Sequence, residues 1–256
     1  MPTVSVAHEE IYYARHGDAG VPLLCLHGAG GTHASWYNAV KLLHRVSAVV
    51  PDLPAHGQST GQGRSTVAAY AGVVSALLDA LQLPAGSGHQ ARSAAVPGAE
   101  SRGPQVVLAG HSMGGAIALW LALQQPQRVR GLVLAGTGAK LRVHPDILQA
   151  AKEGRPIGAA SARAGDSSAP EVVYGDWLAC DTFDVMSRLG EIHVPTLVLV
   201  GSQDSMTPAK YAGFLAKGIT GATLVTIEGA GHSAMVDKPA EVAAALQGFI
   251  DLLPAG

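Results

Sequence analysis

"QVVLAGHSMGG", residues 105–115, carries an apolar run straight into a serine set among glycines. A buried strand that ends in Gly-x-Ser-x-Gly and turns at once into a helix forces the serine into a strained backbone conformation, and bulky neighbours would clash in so tight a turn. The geometry pushes the Ser112 hydroxyl out at the end of a sheet, where a nucleophile is useful. A chance Gly-rich turn is the bland alternative in a chain holding 32 glycines, so the flanking sequence must decide.

Outward from this stretch, short Val/Leu/Ile runs closed by Gly or Asp recur at 22–28, 47–53, 131–136, 195–201 and 222–229, and read as buried parallel strands. Helical patterns lie between them: "ASWYNAVKLLH", "TVAAYAGVVSALLDALQL", "GGAIALWLALQQ", "PAKYAGFLAKGI" and "PAEVAAALQGFIDLL". The opening "TVSVAHEEIYYARHG" alternates enough for an antiparallel hairpin at the sheet edge. Alternating strand and helix means an α/β fold with a doubly wound, mostly parallel sheet, whose functional residues gather at the carboxyl ends of the strands.

Two segments break the rhythm. Residues 84–104, rich in Pro, Gly, Ser and Ala, read as a flexible surface loop entering a strand on the face away from the chemistry. Residues 139–190 leave a strand's carboxyl end with weak helical signals and read as a lid over the site. The expected organisation is a core of 1–138 and 191–256 with that lid inserted.

Composition narrows the function. A formal net charge of −2 gives no electrostatic footprint for nucleic acid or an anionic membrane. No apolar run approaches a bilayer span, and "MPTVSVAHEE" has neither the basic nor the apolar part of an export signal, so a cytoplasmic location is expected. Cys25 and Cys180 read as reduced thiols, and the 11 histidines show no ligand spacing that would call for a metal.

A serine nucleophile needs a base, and the base needs an orienting acid. Just past the strand "PTLVLVG" stands Asp204, and just past "ATLVTIEG" stands His232 on a Gly-rich loop. Each alone could be a turn or surface residue, but three such residues at three strand ends, in the order Ser, Asp, His, form a triad pattern. Asp52, also past a strand, is the rival acid and comes too early in that order; Asp181 and Asp184, inside the lid, are weaker candidates. A tetrahedral intermediate also needs donors for its oxyanion. "HGAGG" (27–31) offers the backbone N–H of Ala29, and the residue after the serine offers that of Met113. The loop lacks the Lys-Ser/Thr of a phosphate cradle. Gly28, Trp36, Leu141, Trp177, Met206 and Met235 are candidates for substrate contact, with ordinary packing the competing role for the large side chains.

"HGAGG", "DLPAHGQS", "GHSMGG", "VGSQD" and "GAGHS" resemble, in order and spacing, the motifs of the α/β-hydrolase superfamily across nearly the whole chain. The resemblance implies about eight strands with helices on both faces, a short helical lid and no cofactor. It points to the branch of carboxylesterases, carbon–carbon bond hydrolases and cofactor-free haloperoxidases. Ser112 stands where dehalogenases and epoxide hydrolases of this fold carry Asp. Ser233 stands where hydroxynitrile lyases carry Lys, and His111 where carbon–carbon hydrolases often carry Asn. The expected function is a serine hydrolase acting on small-molecule carboxylic esters of short to medium acyl chain through an acyl-enzyme, as a monomer or homodimer. A carbon–carbon or lactone hydrolase with the same triad is the alternative, and a ligand-binding receptor on this fold is the rival from another class.

Overall fold

A computed structural model describes residues 2–81, 105–155, 157 and 168–254. The 84–104 loop and the middle of the 139–190 insertion therefore lie outside the described residues.

The chain opens with β1 (Thr3–Val6), β2 (Glu9–His16) and β3 (Val21–Leu26), followed by α1 (Ala34–Val40), β4 (Val46–Pro51) and α2 (Val67–Leu81). Then come β5 (Val106–His111), α3 (Met113–Gln124) and β6 (Val129–Ala135). Between β6 and the next strand lie α4 (Pro145–Lys152), α5 (Pro170–Asp181) and a short 3-10 segment at Met186–Glu191. The chain closes with β7 (Thr196–Gly201), α6 (Ala209–Gly218), β8 (Thr223–Ile227), α7 (Ala234–Asp237) and α8 (Pro239–Asp251).

The strands form one eight-stranded sheet in the order β1-β2-β4-β3-β5-β6-β7-β8. The β1–β2 hairpin is antiparallel, β2 joins β4 antiparallel, and every pairing from β4 onward is parallel. The central strands β3 and β5 are buried almost from end to end, which is why they read as continuous apolar runs rather than alternating ones.

Successive side chains of a strand point to opposite faces, and the core divides accordingly. Leu24, Leu26 and Leu108 pack with α2 and α3 residues such as Val74, Leu78 and Ile117 in one cluster. Leu23, Cys25, Val107 and Ala109 pack with Trp36, Met235, Val242 and Leu246 in the other. Trp36 and Met235, candidates for substrate contact in the sequence, are both fully buried in this second cluster, and the Trp36 indole N–H donates to the Leu26 carbonyl at 2.9 Å. A long apolar side chain at a helix start looks the same in sequence whether it faces a pocket or the sheet. No helix among the described residues is long and apolar enough to cross a membrane.

Candidate active site

Ser112 sits between β5 and α3 with φ +51° and ψ −116°, a region that residues with a side chain rarely enter. The conformation is held from several sides. Ser112 N–H donates to the Ala135 carbonyl of β6 at 3.0 Å, and the Ser112 carbonyl accepts from the Thr137 hydroxyl at 2.8 Å and from Gly115 N–H at 2.9 Å. The surrounding glycines answer to close approach. A Cβ on Gly110 would lie 2.2 Å from the Gly114 carbonyl oxygen, and one on Gly114 would lie 2.4 Å from the Leu26 carbonyl oxygen. Gly28 faces the serine directly, since a Cβ there would stand 3.1 Å from Ser112 Cβ.

His232 and Asp204 meet at the ends of neighbouring strands. His232 Nδ1–H donates to Asp204 at 2.9 Å (Oδ2) and 3.1 Å (Oδ1), which leaves Nε2 as the lone-pair nitrogen. The two loops can approach because Gly201 has no side chain: a Cβ there would lie 2.2 Å from the Gly231 carbonyl oxygen. Asp204 also accepts from the N–H groups of Met206 and Thr207, both at 2.9 Å, and from the Thr207 hydroxyl at 2.8 Å. Burial would raise the Asp204 carboxyl, but the bond and charge of His232 together with the Thr207 donors outweigh it and hold it below the ordinary carboxylate value.

His111 ties this pair to the serine. Its ring stands 4.7 Å from that of His232 (centroid to centroid), and its Nε2–H donates to the His232 carbonyl at 3.0 Å. Burial, and then the nearby His232, push the His111 pKa down to about 3, so the ring is a neutral spacer at ordinary pH. The rival acid Asp52 is committed elsewhere, accepting from His33 N–H and Nδ1–H and from Gln58 N–H. Asp181 accepts from Val143 N–H, and Asp184 pairs with Lys140 at 2.6 Å.

Beside Ser112 runs the loop after β3. His27 Nδ1–H donates to the Gly28 carbonyl at 2.8 Å, and Gly31 N–H donates to the same oxygen at 3.0 Å. His27 Nε2 accepts from Leu53 N–H, which fixes the neutral tautomer; burial and then His56 hold its pKa well below the usual value. Neither the Ala29 nor the Met113 N–H finds an acceptor among the described residues, and Met113 opens α3, where helix N–H groups have no intrahelical partner. Among the remaining candidates Leu141 is buried, Trp177 is half-buried on α5 and Met206 is exposed on the Asp204 loop. No cluster of three metal-ligating side chains occurs among the described residues.

Residues 23–245 match the model of a family described as the alpha/beta hydrolase family. The chain belongs to that family. This hydrolase is 29% identical to a solved thermophilic esterase, with a TM-score of 0.78 and coverage of 98% of this chain and 96% of that one. It is 26% identical to Est816, described as an N-acyl homoserine lactone degrading enzyme, with a TM-score of 0.74 over 97% of this chain and 100% of the other. A curated relative, the pimeloyl-[acyl-carrier protein] methyl ester esterase of Serratia marcescens, is 24% identical over 94% of this chain and 98% of its own.

Three residues of the hydrolase's site have supporting roles that the sequence did not reveal. Thr207 braces the Asp204 carboxylate, and His111 braces His232. Asp176 of α5 is wholly buried and reaches the Gly30 N–H. His111 directly precedes Ser112, and Thr207 follows Asp204 by three residues, so proximity was a usable signal. Asp176 carried no signal, because an Asp in the middle of a weakly patterned helix reads as a surface residue.

Proposed function

We propose that this hydrolase cleaves carboxylic esters through an acyl-enzyme on Ser112. The observation that carries the reading is the strained Ser112 backbone, with its conformation fixed by β6 and Thr137, beside a His232–Asp204 pair whose free nitrogen is Nε2. Ser112 Oγ attacks the ester carbonyl carbon while His232 Nε2 takes its proton. The carbonyl π-electrons move onto oxygen, and that oxyanion accepts from Ala29 and Met113 N–H. The intermediate collapses as His232 returns the proton to the departing alkoxide, and a water deacylates the serine by the same route. Asp204 holds the imidazole tautomer and stabilises its cation. Gly28 lets the acyl carbon approach, and Leu141, Trp177 and Met206 are the proposed contacts for the ester's apolar parts.

The likeness to esterases of known structure supports this reading, and the likeness to Est816 favours lactones as a second substrate class, since a lactone is a cyclic ester open to the same steps. The test is turnover of p-nitrophenyl esters and of N-acyl homoserine lactones, with organophosphonate labelling. Ser112→Ala is expected to abolish turnover and labelling together. Labelling that persists in Ser112→Ala would place the nucleophile elsewhere.

A further inference from the structure

Asp176 lies in the middle of α5, with no exposed surface, and three separate parts of the core converge on it. Its Oδ1 accepts from the Tyr70 hydroxyl of α2 at 2.5 Å. Its Oδ2 accepts from Gly30 N–H at 2.8 Å and faces His56 Nε2 at 2.8 Å. The protons on this network can be placed by elimination. Pro54 O, 2.9 Å from His56 Nδ1, can only accept, so Nδ1 carries a hydrogen. Tyr70 O accepts from Arg64 N–H, so its own proton points to Asp176. One further proton lies between His56 Nε2 and Asp176 Oδ2. A carboxyl so deeply buried needs such partners, because an unpaired charge there would be costly.

The Gly30 bond matters because of where it sits. A peptide unit is planar and trans, so the Ala29 N–H points opposite to the Gly28 carbonyl. That carbonyl is pinned by His27 Nδ1–H and Gly31 N–H. The following peptide unit, which joins Ala29 to Gly30, is pinned at its N–H by Asp176, and Gly30 itself turns at φ +63°. Two successive peptide planes are thus pinned, and they meet at Ala29 Cα, next to the Ala29 N–H. One clamp lies within the loop that follows β3, and the other comes from α5.

We propose, on the ester-hydrolase reading above, that Asp176 is a positioning residue that aims the Ala29 N–H at the developing oxyanion through its bond to Gly30 N–H. The packing of α5 on the core and the alignment of an oxyanion donor then become a single condition. Tyr70 supplies the contrast, since its hydroxyl bonds the other carboxylate oxygen, Oδ1, and leaves the Gly30 bond to Oδ2 in place.

The experiment measures kcat, KM, inhibition by phenylboronic acid (which forms a tetrahedral serine adduct) and the unfolding midpoint in the full-length wild type, Asp176→Asn and Tyr70→Phe. Loss of a whole oxyanion donor costs about 10²–10³ in kcat, so a misaimed one is expected to cost about tenfold to a hundredfold. Asp176→Asn should show that loss in kcat, with KM within about threefold and boronate affinity falling in step with kcat/KM. Tyr70→Phe should lower the unfolding midpoint while keeping kcat within about threefold, because the Gly30 arm is intact. Wild-type kcat in folded Asp176→Asn, or equal kcat losses in both variants, overturns the proposal. Should Asp176→Asn fail to fold, amide exchange in the wild type decides: Gly30 N–H should exchange as slowly as the amides of α5, and exchange at the rate of an exposed loop overturns the proposal. Absence of Ser112-dependent turnover in the wild type would instead defeat the ester reading, with the exchange comparison still deciding whether Asp176 holds the loop.

Discussion

Ser112 pays for its exposed hydroxyl with a backbone at φ +51°, and that cost is separable from its chemistry. Ser112→Ala removes the oxygen and keeps the strain, whereas Ser112→Gly removes both. Strain in such a region is worth about 1–3 kcal/mol, and glycine returns about 0.5–1 kcal/mol of it through its freer unfolded chain. Ser112→Gly is therefore expected to be about 1 kcal/mol more stable than Ser112→Ala in urea unfolding. A Gly variant less stable than the Ala variant would mean that the turn holds no strain. At the neighbouring pair, Asp204→Asn is expected to lower kcat by several orders of magnitude, on the order of 10⁴ in the serine-protease template, because an amide favours the wrong imidazole tautomer. Asp52→Asn should leave kcat within a few-fold while costing stability, since Asp52 serves His33 and Gln58. The positions of Ser112, Asp204 and His232 were legible because each closes a recognisable strand. Asp176 was not, because its partners lie 106, 120 and 146 residues away in sequence.

The sheet was legible almost strand by strand because parallel strands buried on both faces leave unbroken apolar runs, as in β5 and β7. Element ends were blurred where a motif continues past the last ladder bond, so that the run at 22–28 contains a strand ending at Leu26 and a loop beginning at His27. The helix α5 was harder to see. Its apolar residues do not fall on one side, because it packs on α3 and also against the 63–65 backbone, where a Cβ on Gly175 would stand 2.9 Å from the Arg64 carbonyl oxygen. Trp177 follows Asp176 on this helix, and it is the largest of the proposed substrate contacts. Each acyl methylene buried against such a wall adds roughly 0.8 kcal/mol, and none is gained once the chain emerges into water. We expect kcat/KM to rise from acetyl to butanoyl or hexanoyl p-nitrophenyl esters and then to fall. Trp177→Ala should flatten that profile more than it slows acetyl turnover. A preference for acyl chains of twelve carbons or more would refute a shallow pocket.

For the whole molecule, buried neutral histidines set the response to acid. His111 is held near a pKa of about 3 and His27 well below its usual value, both chiefly by burial. Unfolded histidine titrates near 6.5, so below that pH the unfolded chain binds protons that the folded chain refuses, and stability falls as pH falls. Asp204 acts in the same direction but only at lower pH: its depressed carboxyl stabilises above about pH 4 and loses that contribution as pH drops through the folded value. Between pH 7 and pH 5 the histidines therefore dominate. His111 alone should account for about 2 kcal/mol of the loss, and His111→Gln should shrink the pH 7-to-5 difference in urea unfolding by that amount. An unchanged difference would show that His111 is protonated in the folded protein.

The two thiols lie at different depths of this architecture. Cys25 is sealed within β3 at the centre of the sheet, and Cys180 is sealed near the end of α5. Burial raises both thiols far above their ordinary pKa, so neither can react with a disulfide reagent until its surroundings open. The opening that frees each one differs in kind, since α5 can part from α3 without the sheet coming apart, whereas Cys25 faces the layer of Trp36, Met235, Val242 and Leu246 and is uncovered only when α1, α7 and α8 leave the sheet. The chain thus carries its own pair of clocks, Cys180 timing excursions of α5 and Cys25 timing release of the helix layer on the opposite face of the sheet. Under native conditions Cys180 should be modified first, with Cys25 following at a rate that tracks the urea-derived stability.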